Sequence, residues 1–289
     1  MRPGNRSRTS DWVAALRALY SEAPPDLAIF DDAVALRLLP PGLGALVRGA
    51  ARAPYGTRLA HRLIGSATRG LSYGVPLRTA AIDDAVTSAA ESGVRQLVVL
   101  GAGLDARAWR MPSLREVTVF ELDHPDTQGF KREGIRELRP LAQEVRFCSI
   151  DVERQTIPEV LGQHAFDPSA RSVWVWEGVT MYLTAEAIDA TLDAVAELSK
   201  AGSTLAMTYL PREYASPWLR TVGEVGAMWI GEALRFQEDP HEIAARLKQR
   251  SFEVEQDDSA TEWAERWPAR EARRVRPFER LTVARRAGG

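Results

Sequence analysis

The sequence predicts an α/β fold built on a seven-stranded, mostly parallel sheet. From residue 95 onward, apolar runs of strand length alternate with longer helical patterns, which is the order that crossover units produce. The first of these runs leads directly into a loop with two glycines at residues 101–106, a strand-to-helix turn typical of nucleotide-binding α/β domains. The composition suits such a fold, since 45% of the 289 residues are hydrophobic and 26% are charged.

The first 92 residues are predicted to form a separate helical part. They are rich in Ala, Leu and Arg, are interrupted by Pro and Gly, and contain no convincing strand pattern. We therefore predict two units, a helical one over residues 1–92 and a sheet-containing one over residues 93–289. Within the second unit, residues 211–240 are expected to form a cap beyond the core sheet.

The strands are predicted from short apolar runs at residues 96–100, 117–122, 145–150, 172–176, 204–209, 252–255 and 281–285. The clearest helix spans residues 185–200, where Ile188, Leu192 and Val195 recur at helical spacing and Thr184 can cap the N-terminus. Little helical pattern separates the last two strands, so we expect an antiparallel final strand.

Charge and composition exclude several classes of partner. The net charge of -2 offers no field for a polyanion, so nucleic acid is not an expected partner. The longest uncharged stretch, residues 201–211, is too short to cross a bilayer, and no secretory signal follows the polar N-terminus. We therefore expect a cytoplasmic protein without a membrane partner. A single cysteine, Cys148, and four scattered histidines predict neither a disulfide nor a metal site.

The glycine loop allows two classes of ligand. Gly101 and Gly103 let the backbone turn tightly and let a ligand approach without a Cβ in the way. The same G-x-G-x-x-A pattern serves dinucleotides and S-adenosylmethionine, and both need a carboxylate about 20 positions later to accept hydrogen bonds from ribose. Glu121 and Asp123 both stand there.

Three features favour S-adenosylmethionine over a dinucleotide. About 90 residues precede the first strand, unlike a dinucleotide enzyme that opens on it. Asp151 follows the third strand, where an adenine amino group needs an acceptor, although a helix cap is the simpler interpretation. Glu177 ends the fourth strand, where the carboxyl ends of the strands face the ligand crevice, and capping of the next segment is its alternative role.

Four segments together are more specific than the loop. Residues 99–110, 119–125, 150–152 and 176–183 resemble the leucine carboxyl methyltransferase-like family, and residues 29–33 and 77–84 are similar to its bacterial branch. That branch includes polyketide carboxyl O-methyltransferases. The resemblance implies a class I Rossmann-like methyltransferase with an N-terminal helical lid. It also implies S-adenosyl-L-methionine as methyl donor and S-adenosyl-L-homocysteine as product.

The resemblance assigns roles in cofactor binding to particular residues. A bidentate, charge-assisted pair suits an arginine bound to the carboxylate of the methionine part. Glu121 remains an alternative to Asp123 at the ribose, since strand alternation places both on one face. The implied contacts are Arg78 with the methionine carboxylate, Gly101 and Gly103 with the loop ligand, Asp123 with ribose, Asp151 and Val152 with adenine, and Glu177 with the methionine part.

The acceptor is expected to be a carboxylate of a small acidic, polyketide-like metabolite. A carboxylate is ionised at neutral pH and needs no general base, whereas base candidates are scarce and His124 reads as structural. The Asp/Asn-Pro-Pro-aromatic motif of many nitrogen methyltransferases is absent. Tyr182, Tyr209 and Arg235 are the candidate acceptor-site residues.

The sequence leaves three other functions open. They are methylation of a small-molecule hydroxyl, methylation of a protein C-terminal carboxyl group, and binding of S-adenosylmethionine without turnover. An NAD-dependent oxidoreductase is disfavoured because no catalytic Tyr-x-x-x-Lys pair is evident.

Overall fold

The computed structural model describes residues 8–24, 27–151, 154–214, 234–267 and 275–288. Within these ranges seven strands form one sheet: β1 (Gln96–Leu100), β2 (Thr118–Asp123), β3 (Glu144–Ser149), β4 (Ser172–Trp176), β5 (Thr204–Tyr209), β6 (Phe252–Ser259) and β7 (Arg280–Arg286). Their order across the sheet is β3-β2-β1-β4-β5-β7-β6. The first five strands pair in parallel, and β7 runs antiparallel to both β5 and β6.

The predicted strands and the antiparallel end of the sheet are confirmed. Observed bounds differ from the predicted ones by at most one residue, except in β6, which continues to Ser259. That strand shifts register between Val254 and Gln256, so its second half follows an irregularity that a short apolar run does not reveal. The central strands β1, β4 and β5 are buried along their whole length, as parallel strands covered on both faces must be.

Helices cover both faces of this sheet. Those before it are α1 (Arg8–Ser21), α2 (Pro41–Arg52), α3 (Gly56–Ala67) and α4 (Gly74–Glu91). Those after β1 are α5 (Arg107–Arg110), α6 (Pro125–Ile135), α7 (Ile157–Gln163), α8 (Ala185–Glu197), α9 (Pro240–Lys248) and α10 (Ala260–Arg266). The Thr184 side chain accepts the Ala187 N–H at 3.3 Å, which confirms the predicted cap of α8.

The apolar core has two parts, one on each face of the sheet. One part joins Leu77 and Ile82 of α4 to Val99 of β1. The other joins Ile188 of α8 to Trp174 of β4. The structure therefore has the layered α/β architecture that the sequence predicts.

The N-terminal helices reach the glycine loop. In α1, the Arg17 guanidinium donates to the Leu104 carbonyl and pairs with Asp32 at 3.2 Å. Helix α4 instead packs directly on the sheet. A boundary between lid and catalytic domain at residue 92 stays a prediction. In the described part of the chain, no helix combines the length and apolarity that a bilayer span requires.

Candidate functional site

The predicted site residues meet at the edge of the sheet where the parallel strands end. Leu100 of β1 lies in register with Leu122 of β2 and with Trp176 of β4. The glycine loop, Asp123 and Glu177 follow these positions and therefore emerge side by side. Open α/β sheets bind nucleotides in a crevice outside the carboxyl ends of their strands, so this edge is the candidate site.

The glycine loop needs glycine for both conformation and space. Gly101 and Gly103 have positive φ angles of 64° and 48°. A Cβ built at Gly101 would lie 2.7 Å from Cγ2 of Val179, in the segment that follows β4. At Gly101 the backbone therefore lies closer to Val179 than any residue with a side chain would permit.

Asp123 is fastened to the glycine loop. Its Oδ2 accepts the Gly103 N–H at 2.5 Å, and its Oδ1 accepts the His124 N–H at 2.6 Å. Burial raises the pKa of Asp123, although these two hydrogen bonds oppose the rise. Each carboxylate oxygen can accept a further hydrogen bond, so Asp123 can still receive the hydroxyls of a ribose.

Glu121 has a different environment from Asp123. Its side chain is buried, and its Oε2 accepts a hydrogen bond from the Lys131 ammonium of α6 at 2.6 Å. Burial raises the pKa of Glu121 to about 7, against the opposing effect of Lys131. The two carboxylates that the sequence left as alternatives for the ribose therefore differ in position. Asp123 is hydrogen-bonded to the glycine loop, whereas Glu121 is paired with Lys131 inside the protein.

Asp151 begins a turn after β3. Its carbonyl oxygen accepts the N–H groups of Arg154 and Gln155, and its own N–H donates to Oε1 of Gln155 at 3.1 Å. Its carboxylate lies 3.6 Å from Nε of Arg154. The next helix, α7, is capped by Thr156, so these contacts do not make Asp151 a helix cap, and its side chain is half-buried just after the end of β3. Val152 lies outside the described residues.

Glu177 joins two buried arginines. Its Oε1 accepts from Nε of Arg78 at 2.9 Å, and its Oε2 accepts from Nη2 of Arg107 at 2.8 Å. Burial alone would raise the pKa of Glu177, but Arg107 and Arg78 outweigh it and lower that pKa to about 2. Arg78 also donates from Nη1 to Glu279 at 2.5 Å, and its Nη2 makes no hydrogen bond within the described chain.

The ion pairs continue from Arg107 toward the N-terminal helices. They connect Arg107 to Asp83 and Asp105, Asp83 to Arg110, and Asp32 to both Arg110 and Arg17. Arg107 is fully buried, and burial would lower its pKa, but the attraction of Asp105, Glu177 and Asp83 raises that pKa well above its ordinary value. Elements far apart in the sequence thus share one charged network at the edge of the sheet.

Sequence reasoning missed most members of this network. Asp32, Asp83, Asp105 and Arg107 all lie within segments that carry the family resemblance, so their positions were visible but their roles were not. Glu279 lies outside every motif, and nothing in the sequence singled it out.

Comparison with known proteins identifies the family. The profile of the leucine carboxyl methyltransferase family matches residues 11–196, more than half of the chain. The chain belongs to the leucine carboxyl methyltransferase family. It is an S-adenosyl-L-methionine-dependent methyltransferase, so the predicted cofactor is confirmed.

Relatives of this methyltransferase include two mycobacterial proteins whose names assign them provisionally to S-adenosyl-L-methionine-dependent methyltransferases. The protein from Mycolicibacterium smegmatis is 35% identical over 250 residues, covering 83% of this chain and 71% of that protein. The protein from Mycolicibacterium gilvum is 43% identical over 140 residues, covering 48% of this chain and 45% of that protein. The match to the second relative thus spans less than half of its length.

A solved structure shows the same fold. A protein from Thermobifida fusca, described provisionally as a methyltransferase, matches with a TM-score of 0.62 at 16% identity, covering 99% of this chain and 97% of that one. Together with the sheet order, this match confirms the Rossmann-like α/β fold of the family member.

The residues at the sheet edge fit S-adenosylmethionine. The loop at Gly101 allows close approach to the backbone, and Asp123 offers acceptors for ribose hydroxyls. The cofactor carries a positively charged sulfonium, and carboxylates are plentiful at this edge, including Glu177 and Glu279. When bound, the cofactor supplies an activated methyl group.

Tyr209 is placed in the core, which corrects the prediction that it lines an acceptor pocket. The side chain is fully buried, and its hydroxyl donates to Oδ2 of Asp257 on β6 at 2.9 Å. Burial and the neighbouring Asp257 raise the pKa of Tyr209. Strand alternation in β5 places the Tyr209 side chain in the same apolar layer as Leu205 and Met207. The sequence pattern did not reveal that this layer is the buried core.

Tyr182 and Arg235 lie close together in the chain's fold. Tyr182 is half-buried in a short 3₁₀ helix, Thr180–Tyr182, after β4. The backbone N–H of Arg235 donates to the Met181 carbonyl at 2.7 Å, and the Arg235 side chain is exposed. This hydrogen bond holds the chain that leads into α9 beside the short helix that contains Tyr182. Residues 215–233 of the predicted cap lie outside the described residues.

His124 has a structural contact at this edge. His124 caps α6, with Nδ1 accepting the Asp126 N–H at 3.3 Å, in line with a structural role. Among the described residues, no group of three or more His, Cys, Asp or Glu side chains is placed to hold a metal ion.

Proposed function

We propose that this protein transfers the methyl group of S-adenosylmethionine to an oxygen of a small acidic acceptor, at a carboxylate of that acceptor. The state of Glu177 carries the proposal. Its two arginines lower its pKa to about 2 and each donate to one of its oxygens, so at neutral pH it is an ionised and weakly basic group, poorly suited to take a proton from a hydroxyl group. A carboxylate acceptor, with an ordinary pKa of about 4, is already ionised and needs no base. Alignment and exclusion of water then suffice for an in-line displacement.

The proposal gives each residue at the sheet edge a role. Arg78 has a donor, Nη2, that no described group uses, and this donor suits the cofactor carboxylate. The proposed contacts are Arg78 and Glu177 with the methionine part, Gly101, Gly103 and Asp123 with the nucleoside, Asp151 and Val152 with adenine, and Tyr182 and Arg235 with the acceptor. Helix α1, which contacts the loop through Arg17, acts as the lid.

A polyketide-like acid is the proposed acceptor class. The resemblance to a bacterial branch that includes polyketide carboxyl O-methyltransferases supports it, as does an exposed arginine, Arg235, beside Tyr182. Such a cation can pair with an acidic acceptor.

The test supplies isotope-labelled methyl donor and a panel of aromatic and polyketide-type carboxylic acids, with the carboxamide of each acid as its matched control. We expect labelled product from acids and none from carboxamides, and mild base should release the label as methanol because an ester hydrolyses. Label that resists base would instead indicate a methyl ether, formed by methyl transfer to a hydroxyl group. A profile of kcat/KM without a base-dependent limb is expected between about pH 6 and 9, because a carboxylate acceptor needs no general base and Glu121, whose pKa lies near 7, is buried against Lys131.

Two further outcomes would replace the proposal. Label in a polypeptide that is lost when its last residue is trimmed would indicate a protein C-terminal carboxyl acceptor. Tight cofactor binding without any methylated product would indicate a binding protein.

A further inference from the structure

Glu279 is a buried carboxylate at the sheet edge with one oxygen unused. It immediately precedes β7, whose Arg280 pairs with Tyr209 at the end of β5, so Glu279 lies at the same edge as Glu177. Its Oε2 accepts from Nη1 of Arg78 at 2.5 Å, and only 9% of its side chain is exposed. Its Oε1 is buried and has no hydrogen-bond partner among the residues that the structure describes. A buried polar atom left unpaired is costly, so a missing partner is expected there.

The network that contains Glu279 has more negative than positive groups. In the described residues it contains four arginines and five carboxylates, an excess of one negative charge. Its members are Arg17, Arg78, Arg107 and Arg110 with Asp32, Asp83, Asp105, Glu177 and Glu279. An uncompensated charge in a buried site is unfavourable, so this network favours a ligand with one net positive charge.

The donor and the product of methyl transfer differ in this charge. The methionine part of S-adenosylmethionine carries a sulfonium, an ammonium and a carboxylate, which leave one net positive charge. In S-adenosylhomocysteine the sulfonium is a neutral thioether, and the net charge is zero. A site with one excess negative charge therefore complements the donor better than the product.

We propose that Glu279 is a cofactor-binding residue whose unpaired Oε1 faces the positively charged methionine part and favours S-adenosylmethionine over S-adenosylhomocysteine. The inference rests on the site placed under the proposed function, but it does not depend on which acceptor is methylated. Glu279 would thus aid turnover by favouring exchange of the bound product for a new molecule of the donor.

The experiment measures dissociation constants by calorimetry, without an acceptor, for wild type, Glu279→Gln and a control, Glu255→Gln. Glu255 is an exposed carboxylate on β6 paired with Arg285 of β7 at 2.6 Å. The ligands are S-adenosylmethionine, S-adenosylhomocysteine and sinefungin, which carries an ammonium in place of the sulfonium. We expect E279Q to weaken both cationic ligands by about 10-fold, because the attraction between a buried carboxylate and the extra positive charge of these ligands is lost, and to change S-adenosylhomocysteine by less than about 3-fold. E255Q should change none of them.

Equal weakening of all three ligands would overturn the proposal, because Glu279 would then act on a group that all three share, either the ammonium or, through Arg78, the carboxylate. Tighter binding of all three would also overturn it, because Glu279 would then compete with the ligand carboxylate for Arg78. If E279Q does not fold, E279D retracts the carboxylate by one methylene and must still lower the preference for the cationic ligands; an unchanged preference rejects the proposal. Because no acceptor is present, none of these outcomes bears on whether the methyl group goes to a carboxylate or to a hydroxyl group.

Discussion

At the scale of single residues, the proposed function assigns cofactor binding to side chains at the edge of the sheet. Asp123 and Arg78 each offer a charged group to the cofactor, so we expect Asp123→Ala and Arg78→Ala to weaken S-adenosylmethionine binding by about 1 to 3 kcal/mol each. Asp193→Ala is the matched control, because Asp193 is an exposed carboxylate on α8 paired with Arg250. Calorimetric titration checks the prediction, and unchanged affinity in both site variants would contradict the residue assignment.

Also at the scale of one residue, Gly101 meets a conformational and a steric demand together. Gly101→Ala should destabilise the fold by about 1 to 3 kcal/mol, since alanine is strained at a φ of 64° and its Cβ would meet Val179 at 2.7 Å. Gly129→Ala in α6 meets nothing within 4 Å and should stabilise by up to about 1 kcal/mol. Urea unfolding of both variants distinguishes the two sites; equal effects would contradict the argument.

At the scale of elements, Glu177 connects the end of β4 to α4 through Arg78 and to α5 through Arg107. Its pKa is lowered from 4.5 to about 2, so its stabilising effect is fully present above about pH 4.5 and is lost as the pH falls toward 2. We expect wild type to lose about 3 kcal/mol of unfolding free energy to this group over that range, a loss that Glu177→Gln does not show.

Unfolding in urea at successive pH values between about 7 and 3 covers most of this change. Glu133→Gln is the control, because it alters an exposed ion pair between Glu133 of α6 and Arg136. Its unfolding free energy should depend on pH as that of wild type does. An acid limb equally steep in E177Q would contradict the assignment of the effect to Glu177.

At the scale of the whole molecule, buried ion pairs join the N-terminal helices to the sheet. Arg17 of α1 pairs with Asp32 and donates to the loop at Leu104, and the Asp32 carboxylate is fully buried. Arg17→Ala leaves that carboxylate with less compensation, so we expect it to lower the unfolding free energy by about 3 kcal/mol. It should also weaken cofactor binding, because α1 would lose its contact with the glycine loop.

Arg48→Ala on α2 is the control for this prediction, since Arg48 is exposed and its removal should change stability by less than about 0.5 kcal/mol. Urea unfolding and calorimetry measure the two effects. A stable Arg17→Ala variant with normal cofactor affinity would show that α1 is not coupled to the site.

Features with local signals could be predicted from the sequence. Continuous apolar runs marked β1 and β4, two glycines marked the loop, and Thr184 marked the start of α8, because each depends on residues that are neighbours in the chain. The motifs around Asp123 and Glu177 likewise placed both carboxylates at strand ends, and parallel strands bring their ends to one edge.

Tertiary contacts settled which of these groups are partners. Arg78 and Glu279 are separated by 201 positions, and Arg107 and Glu177 by 70, so no periodicity relates them. Alternation showed that Glu121 and Asp123 share a face, but only the packing of α6 pairs Glu121 with Lys131. Tyr209 also looked available until β6 brought Asp257 to its hydroxyl. Charge and side-chain type are written in the chain, whereas a buried charge takes its partner from whichever element the fold packs against it.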